Sequence, residues 1–120
     1  MSHIVTIQTK VYDATAISAA CRRMNLIEPN EGLVELFSSK VSGLIVRLPD
    51  WTYPIVVDLA TGDVKFDNYQ GAWGDQAHLD RFLQLYAVEK AKLEARMKGF
   101  AVSEDLLQDG SIRVQITGGD

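Results

Sequence analysis

Apolar and polar side chains alternate from the start of the chain. Val5, Ile7, Thr9 and Val11 take turns with Thr6, Gln8 and Lys10, the two-residue period of a half-buried strand over residues 4–11. Beyond Asp13, which can cap a helix, the period lengthens. Ile17, Ala20, Cys21 and Met24 recur at i, i+3, i+4 and i+7, one apolar stripe ending near Asn25. Pro29, Asn30 and Gly32 then break the pattern.

Residues 33–69 read as a meander of strands. Val34 and Leu36 precede an expected turn at Ser42-Gly43, with Leu44, Val46 and Leu48 after it. Ile55, Val57 and Leu59 lead to a turn at Thr61-Gly62-Asp63, from which Val64 and Phe66 return. Pro49 and Pro54 bracket Asp50-Trp51-Thr52-Tyr53 and place that stretch at an edge or corner of the sheet.

The longest helical pattern follows. Asp75 is placed to cap it, Leu79, Phe82, Leu83, Tyr86, Leu93 and Met97 form its stripe, and Gly99 is placed to end it. At about 24 residues it would run ~36 Å, longer than a core of this size covers, so its far end is expected to project or meet a partner. Asp109-Gly110 predicts a two-residue hairpin turn into Ile112, Val114 and Ile116, and Gly118-Gly119-Asp120 is expected to fray. The order β-α-β-β-β-β-α-β-β predicts an α+β fold: a mainly antiparallel sheet with two helices packed on one face.

Length and charge narrow the possibilities. With 120 residues and no internal repeat or linker, a single domain over 1–120 is expected. No aliphatic run exceeds three residues, as at Leu44-Ile45-Val46, far short of a membrane span. Met1-Ser2-His3-Ile4 lacks the pattern of a secretory signal, and the lone Cys21 allows no intrachain disulfide; a cytoplasmic protein is the expectation. Cys21 lies on the apolar stripe of the first helix and reads as a buried structural thiol. Twelve basic against sixteen acidic side chains give a net charge of −4, which argues against direct nucleic-acid binding. Lys90, Lys92, Arg96 and Lys98 alternate with Glu89 and Glu94 and read as a solvated helix face.

Motifs for chemistry are scarce. His3 and His78 are the only histidines and fall in different elements, and no HxxxH, CxxC or EF-hand loop occurs, so no metal or cofactor is expected. The phosphate-cradling glycine loops and the Gly-x-Ser-x-Gly elbow are also absent.

The candidate site is the segment Asp67-Asn68-Tyr69-Gln70-Gly71-Ala72-Trp73-Gly74-Asp75-Gln76-Ala77-His78. His78 falls near the third helical position, close to the positive end of the helix, with Asp75 or Asp67 as the carboxylate that would orient it for acid/base work. The plainer arrangement has Asp75 capping the helix, Trp73 in the core and His78 at the surface. Trp51, Tyr53, Tyr69 and Trp73 form the alternative, an aromatic recognition patch.

Taken in order, Met1-Ser2-His3, Thr6-Ile7-Gln8-Thr9-Lys10, Leu85-Tyr86-Ala87-Val88-Glu89, Lys98-Gly99-Phe100 and Asp109-Gly110-Ser111-Ile112-Arg113 resemble an uncharacterised open-reading-frame family of plastids, cyanobacteria, other bacteria and phages. Trp51-Thr52-Tyr53-Pro54 and the run from Asp67 to Gly74 are similar to its bacterial branch. The resemblance implies a domain of unknown function with no assigned catalytic residues, whose genes neighbour a ring-forming ATPase of the AAA class. It therefore implies an accessory or adaptor role, with such an ATPase as the candidate protein partner. Its phage members imply a second role, inhibition of a host defence protein, for which Glu28, Glu31, Glu35, Asp58, Asp63 and Asp67 are the candidate charges.

Overall fold

The computed structural model describes residues 4–7, 10–37 and 39–118. His3, Gln8, Thr9, Gly119 and Asp120 lie outside the described residues. The chain runs β1 (Val5–Ile7), α1 (Ala14–Arg23), β2 (Asn30–Glu35), β3 (Lys40–Val46), β4 (Ile55–Asp58), β5 (Asp63–Phe66), α2 (Gln76–Met97), β6 (Ala101–Leu106) and β7 (Ile112–Thr117). Five strands pair antiparallel in the order β1-β5-β4-β3-β2, and β6 and β7 form a separate antiparallel pair. This is the α+β fold expected from the pattern.

Register decides which side chains meet the helices. Leu44 sits opposite Val57, which sits opposite Val64, and Val46 sits opposite Ile55. These side chains form one core with Ala16, Ile17, Ala20 and Cys21 of α1 and Leu79, Phe82, Leu85 and Tyr86 of α2. Each large apolar side chain buried there contributes roughly 1.5–3 kcal/mol. Burial pushes the Cys21 thiol up to about 11, with the negative charge of Glu28 adding to the effect, as suits a structural rather than a reactive group.

Both helices start where a carboxylate stands ready. Asp13 Oδ1 accepts hydrogen bonds from the amides of Thr15 (2.9 Å) and Ala16 (3.2 Å), satisfying donors the first turn leaves free. Its other oxygen meets Lys90 Nζ of α2 at 3.1 Å. The Tyr86 hydroxyl accepts from the amides of Tyr12 and Asp13, so the two helices are tied together at the entry to α1.

The β2–β3 hairpin departs from expectation. Its turn falls at residues 36–39, where the Leu36 amide donates to the Ser39 carbonyl at 2.8 Å, and Ser42-Gly43 lies inside β3. Gly43 is required by close approach: a Cβ there would stand 2.6 Å from the Val57 carbonyl oxygen and 2.9 Å from Val56 Cγ1. Strand pairing carries the 36–39 turn away from the end of the sheet formed by Val46, Ile55 and Phe66. Phe37 nevertheless touches Trp73, whose backbone is bonded to Asn68 and Thr52 at that end. The hairpin therefore curls back across the sheet, with Gly43 facing Gly32 at the bend. This fold-back accounts for the burial of Leu36 and of Ile45 and Val56 on the face away from the helices.

α2 also differs from its sequence reading. It spans 22 residues, about 33 Å, and its second half is covered by the chain's own β6–β7 pair. Glu89 and Lys92, expected on a solvated face, join Arg23 and Glu104 in a partly buried network. Arg23–Glu89 is 2.9 Å, Arg23–Glu104 3.0 Å, Lys92–Glu104 2.7 Å and Lys92–Glu89 3.3 Å. Met97, placed on the apolar stripe by spacing, is 86 % exposed. The loop after β6 closes over three residues rather than two: Leu107 and Ser111 pair by backbone, and Asp109 Oδ1 accepts from the Ser111 amide and hydroxyl. Among the described residues no helix is long and apolar enough to cross a membrane.

Candidate functional site

Three connections meet at one end of the sheet: the 36–39 turn, the 47–54 loop between β3 and β4, and the 67–75 stretch between β5 and α2. The last is braced from within. The Asn68 carbonyl accepts from the amides of Gly71 (3.0 Å) and Trp73 (2.9 Å), and its side-chain amide donates to the Gly74 carbonyl at 3.2 Å. The Thr52 amide donates to the Trp73 carbonyl at 2.8 Å and joins two of the connections.

The two tryptophans have different roles. The Trp51 ring packs edge-on to Phe66 with centroids 5.7 Å apart, and its Nε1 donates to the Asp75 carbonyl at 3.0 Å. Gly74 leaves room for it, since a Cβ at that position would clash with the ring carbons. Trp51 is a brace between the core and the start of α2. Trp73, expected in the core by the plainer reading, is instead half-buried at the hub of an aromatic cluster. Tyr69 lies 4.7 Å from it, Phe37 5.1 Å and Tyr53 5.6 Å between centroids. Phe37 is 58 % exposed and Tyr69 43 % exposed, so the cluster has an open side.

Phe37 was not legible as part of this cluster, because it reaches Trp73 only through the curled hairpin. The one local signal was the Ser38-Ser39 pair after it, which marks a turn.

Backbone conformation singles out the same place. Among the described residues four non-glycine positions have positive φ: Asn25, Asp50, Tyr69 and Gln70. Three of them lie in the connections that build the cluster. Asn and Asp enter this region readily, but Tyr69 (φ 50°) and Gln70 (φ 54°) are consecutive and have no such ease, and residues held this way cost about 1–3 kcal/mol each.

Among the described residues no side-chain hydrogen bond joins His78 to Asp75 or Asp67. Asp75 caps α2 through Oδ1, which accepts from the Ala77 amide at 2.9 Å. Asp67 Oδ1 accepts from the Tyr69 amide at 3.2 Å, while its Oδ2 is buried without a partner. His78 Nδ1 is likewise buried and unpaired, so no hydrogen bond joins that nitrogen to either carboxylate. His78 is half-buried rather than at the surface. The structure thus brings Tyr53, Tyr69 and Trp73 together, sets Trp51 and Asp75 beside them as supports, and leaves His78 outside the cluster's ring contacts.

The charges considered for inhibition of a host protein are divided. Glu31 and Glu35 lie on the edge strand β2, Glu28 pairs with Arg22 at 3.8 Å, Asp58 and Asp63 face each other at the β4–β5 turn, and Asp67 is only 1 % exposed. A shallow cleft of about 190 Å³ under the β6–β7 pair, lined by Ala91, Glu94, Ala95, Lys98, Phe100 and Ile116, includes none of the candidate residues. Among the described residues no group of three or more His, Cys, Asp or Glu gathers as a metal site would need.

An α+β scaffold carrying an aromatic face on its connecting loops is the description these observations define. Comparison with family models, curated proteins and solved structures gives no match, so the functional reading rests on the chain's own residues.

Proposed function

We propose that this protein is a small non-enzymatic accessory or adaptor that binds another protein through the Phe37–Tyr53–Tyr69–Trp73 face. The observation that carries the reading is Tyr69, held in a left-handed conformation with its ring packed at a tilt against Trp73 and nearly half exposed. Aromatic side chains with an apolar body and a polar tip dominate the energetics of protein interfaces. Strained backbone kept on a well-packed scaffold is the pattern of a site rather than of a connection. An ATPase of the AAA class is the partner to which the motif resemblance points. The lone, buried Cys21 suits a reducing compartment, and the cytoplasm is where the reading places the protein.

The test is affinity capture of tagged protein from its native lysate, at low and high salt, with two variants. Tyr69→Asn removes the ring, and Asn tolerates the left-handed φ; Met97→Ser alters an exposed apolar side chain on α2. A stoichiometric partner held by the parent and by Met97→Ser, and lost on Tyr69→Asn in protein that stays folded, is the expected result. A partner retained by Tyr69→Asn would overturn the reading.

A further inference from the structure

The chemistry of the partner follows from the charges around the aromatic face; this rests on the protein-binding reading and makes it more specific. The ion pairs among the described residues all involve residues of the 13–28 stretch, the second half of α2 or the β6–β7 pair. None involves the three connections that build the face. Those connections hold three aspartates, Asp50, Asp67 and Asp75, against a single Arg47. Asp50 and Asp75 are exposed. Asp67 is only 1 % exposed and has a carboxylate oxygen buried without a partner, as is the His78 Nδ1 atom.

The connections that carry the rings therefore also carry two exposed carboxylates, Asp50 and Asp75, that make no ion pair with a described residue. A ring presents negative potential above its plane and attracts a cation laid on it, most often arginine, whose flat guanidinium stacks as well as pairing. The same guanidinium carries five N–H donors and no acceptor, the complement of the two exposed carboxylates. A phosphate or an acidic peptide would meet the same aspartates as repulsion. We infer that the Phe37–Tyr53–Tyr69–Trp73 face, with Asp50 and Asp75 at its margin, binds a basic segment of its protein partner, an arginine lying on the Tyr69 and Trp73 rings.

The experiment uses a blocked Gly-Arg-Gly-Arg-Gly peptide and its twin with citrulline, a neutral isostere, in place of arginine. Binding is read from the tryptophan indole and backbone amide signals of isotope-labelled protein. Two variants separate charge from ring. Asp50→Asn with Asp75→Asn removes both charges while keeping a residue at ease at φ 60° and an acceptor for the cap; Tyr69→Asn removes the ring.

The expected result is that the arginine peptide moves the Trp73 indole and Tyr69 amide signals and the citrulline peptide does not, with binding weakened about tenfold in each variant. Equal binding of the citrulline peptide, or unmoved Trp73 and Tyr69 signals with the arginine peptide, overturns the inference. If that happens while Tyr69→Asn still loses the captured partner, protein binding stands and only the basic segment falls. If Tyr69→Asn loses nothing on capture, both fall together.

Discussion

Residue by residue, the face depends on which tryptophan meets a glycine. Trp51 packs against Gly74 and Phe66, whereas Trp73 meets the rings of Phe37, Tyr53 and Tyr69. The sequence reading put Trp51 at an edge or corner of the sheet and, in its plainer form, Trp73 in the core; the difference is made by a contact between residues 51 and 74, which nothing local shows. The caps were legible, since Asp13 and Asp75 act on amides two or three residues away. Gly74→Ala puts a methyl group where the Trp51 ring lies and is expected to destabilise the fold by about 1–3 kcal/mol. Urea unfolding measures that loss, with Trp51 emission moving to the red as its ring is displaced. An unchanged midpoint would show that the ring is not held there.

At the level of elements, the order of helices and strands was legible, β6 only as the first arm of the Asp109-Gly110 hairpin, and the reading failed where one element depends on another, as at Asn30 and Gly32, read as a break but lying in β2. Ser42-Gly43 looked like a turn because glycine marks turns, but here it admits a neighbouring strand. α2 looked too long because its cover, β6–β7, follows it in the chain. Glu89 and Lys92 looked solvated because their partners Arg23 and Glu104 are distant in sequence.

That network fixes a pH response. Hydrogen bonding from Lys92 outweighs the cost of burial and, with Arg23, holds the Glu104 carboxyl below its ordinary value of 4.5. Burial opposes ionisation of Asp13, but Lys90 and the Ala16 and Thr15 amides prevail and keep it below 3.8. In both cases the unfolded chain takes up the proton first as pH falls. The stabilisation is complete above those ordinary values and drains away as pH drops through them and then through the lowered folded values. Urea midpoints between neutral pH and pH 3 are expected to fall across that window and to fall less in Glu104→Gln. A Glu104→Gln profile parallel to that of the parent would contradict the assignment.

Across the whole molecule, charge and aromatic surface are segregated. Ion pairs tie α1, the second half of α2 and β6–β7 together, while three connections at one end of the sheet gather four rings and aspartates that make no ion pair with a described residue. The sequence showed the fold class and three of the four rings. It could not show that a curled hairpin delivers Phe37, or that His78 and the two aspartates of its segment would stay apart in their hydrogen bonding. The most direct measurement of the central claim is hydrogen–deuterium exchange of the protein alone and with its captured partner. Protection concentrated at residues 36–37, 50–53 and 67–75 is the predicted footprint. Protection confined to the edge strand β2 or to β6–β7, with those three connections unchanged, would contradict it.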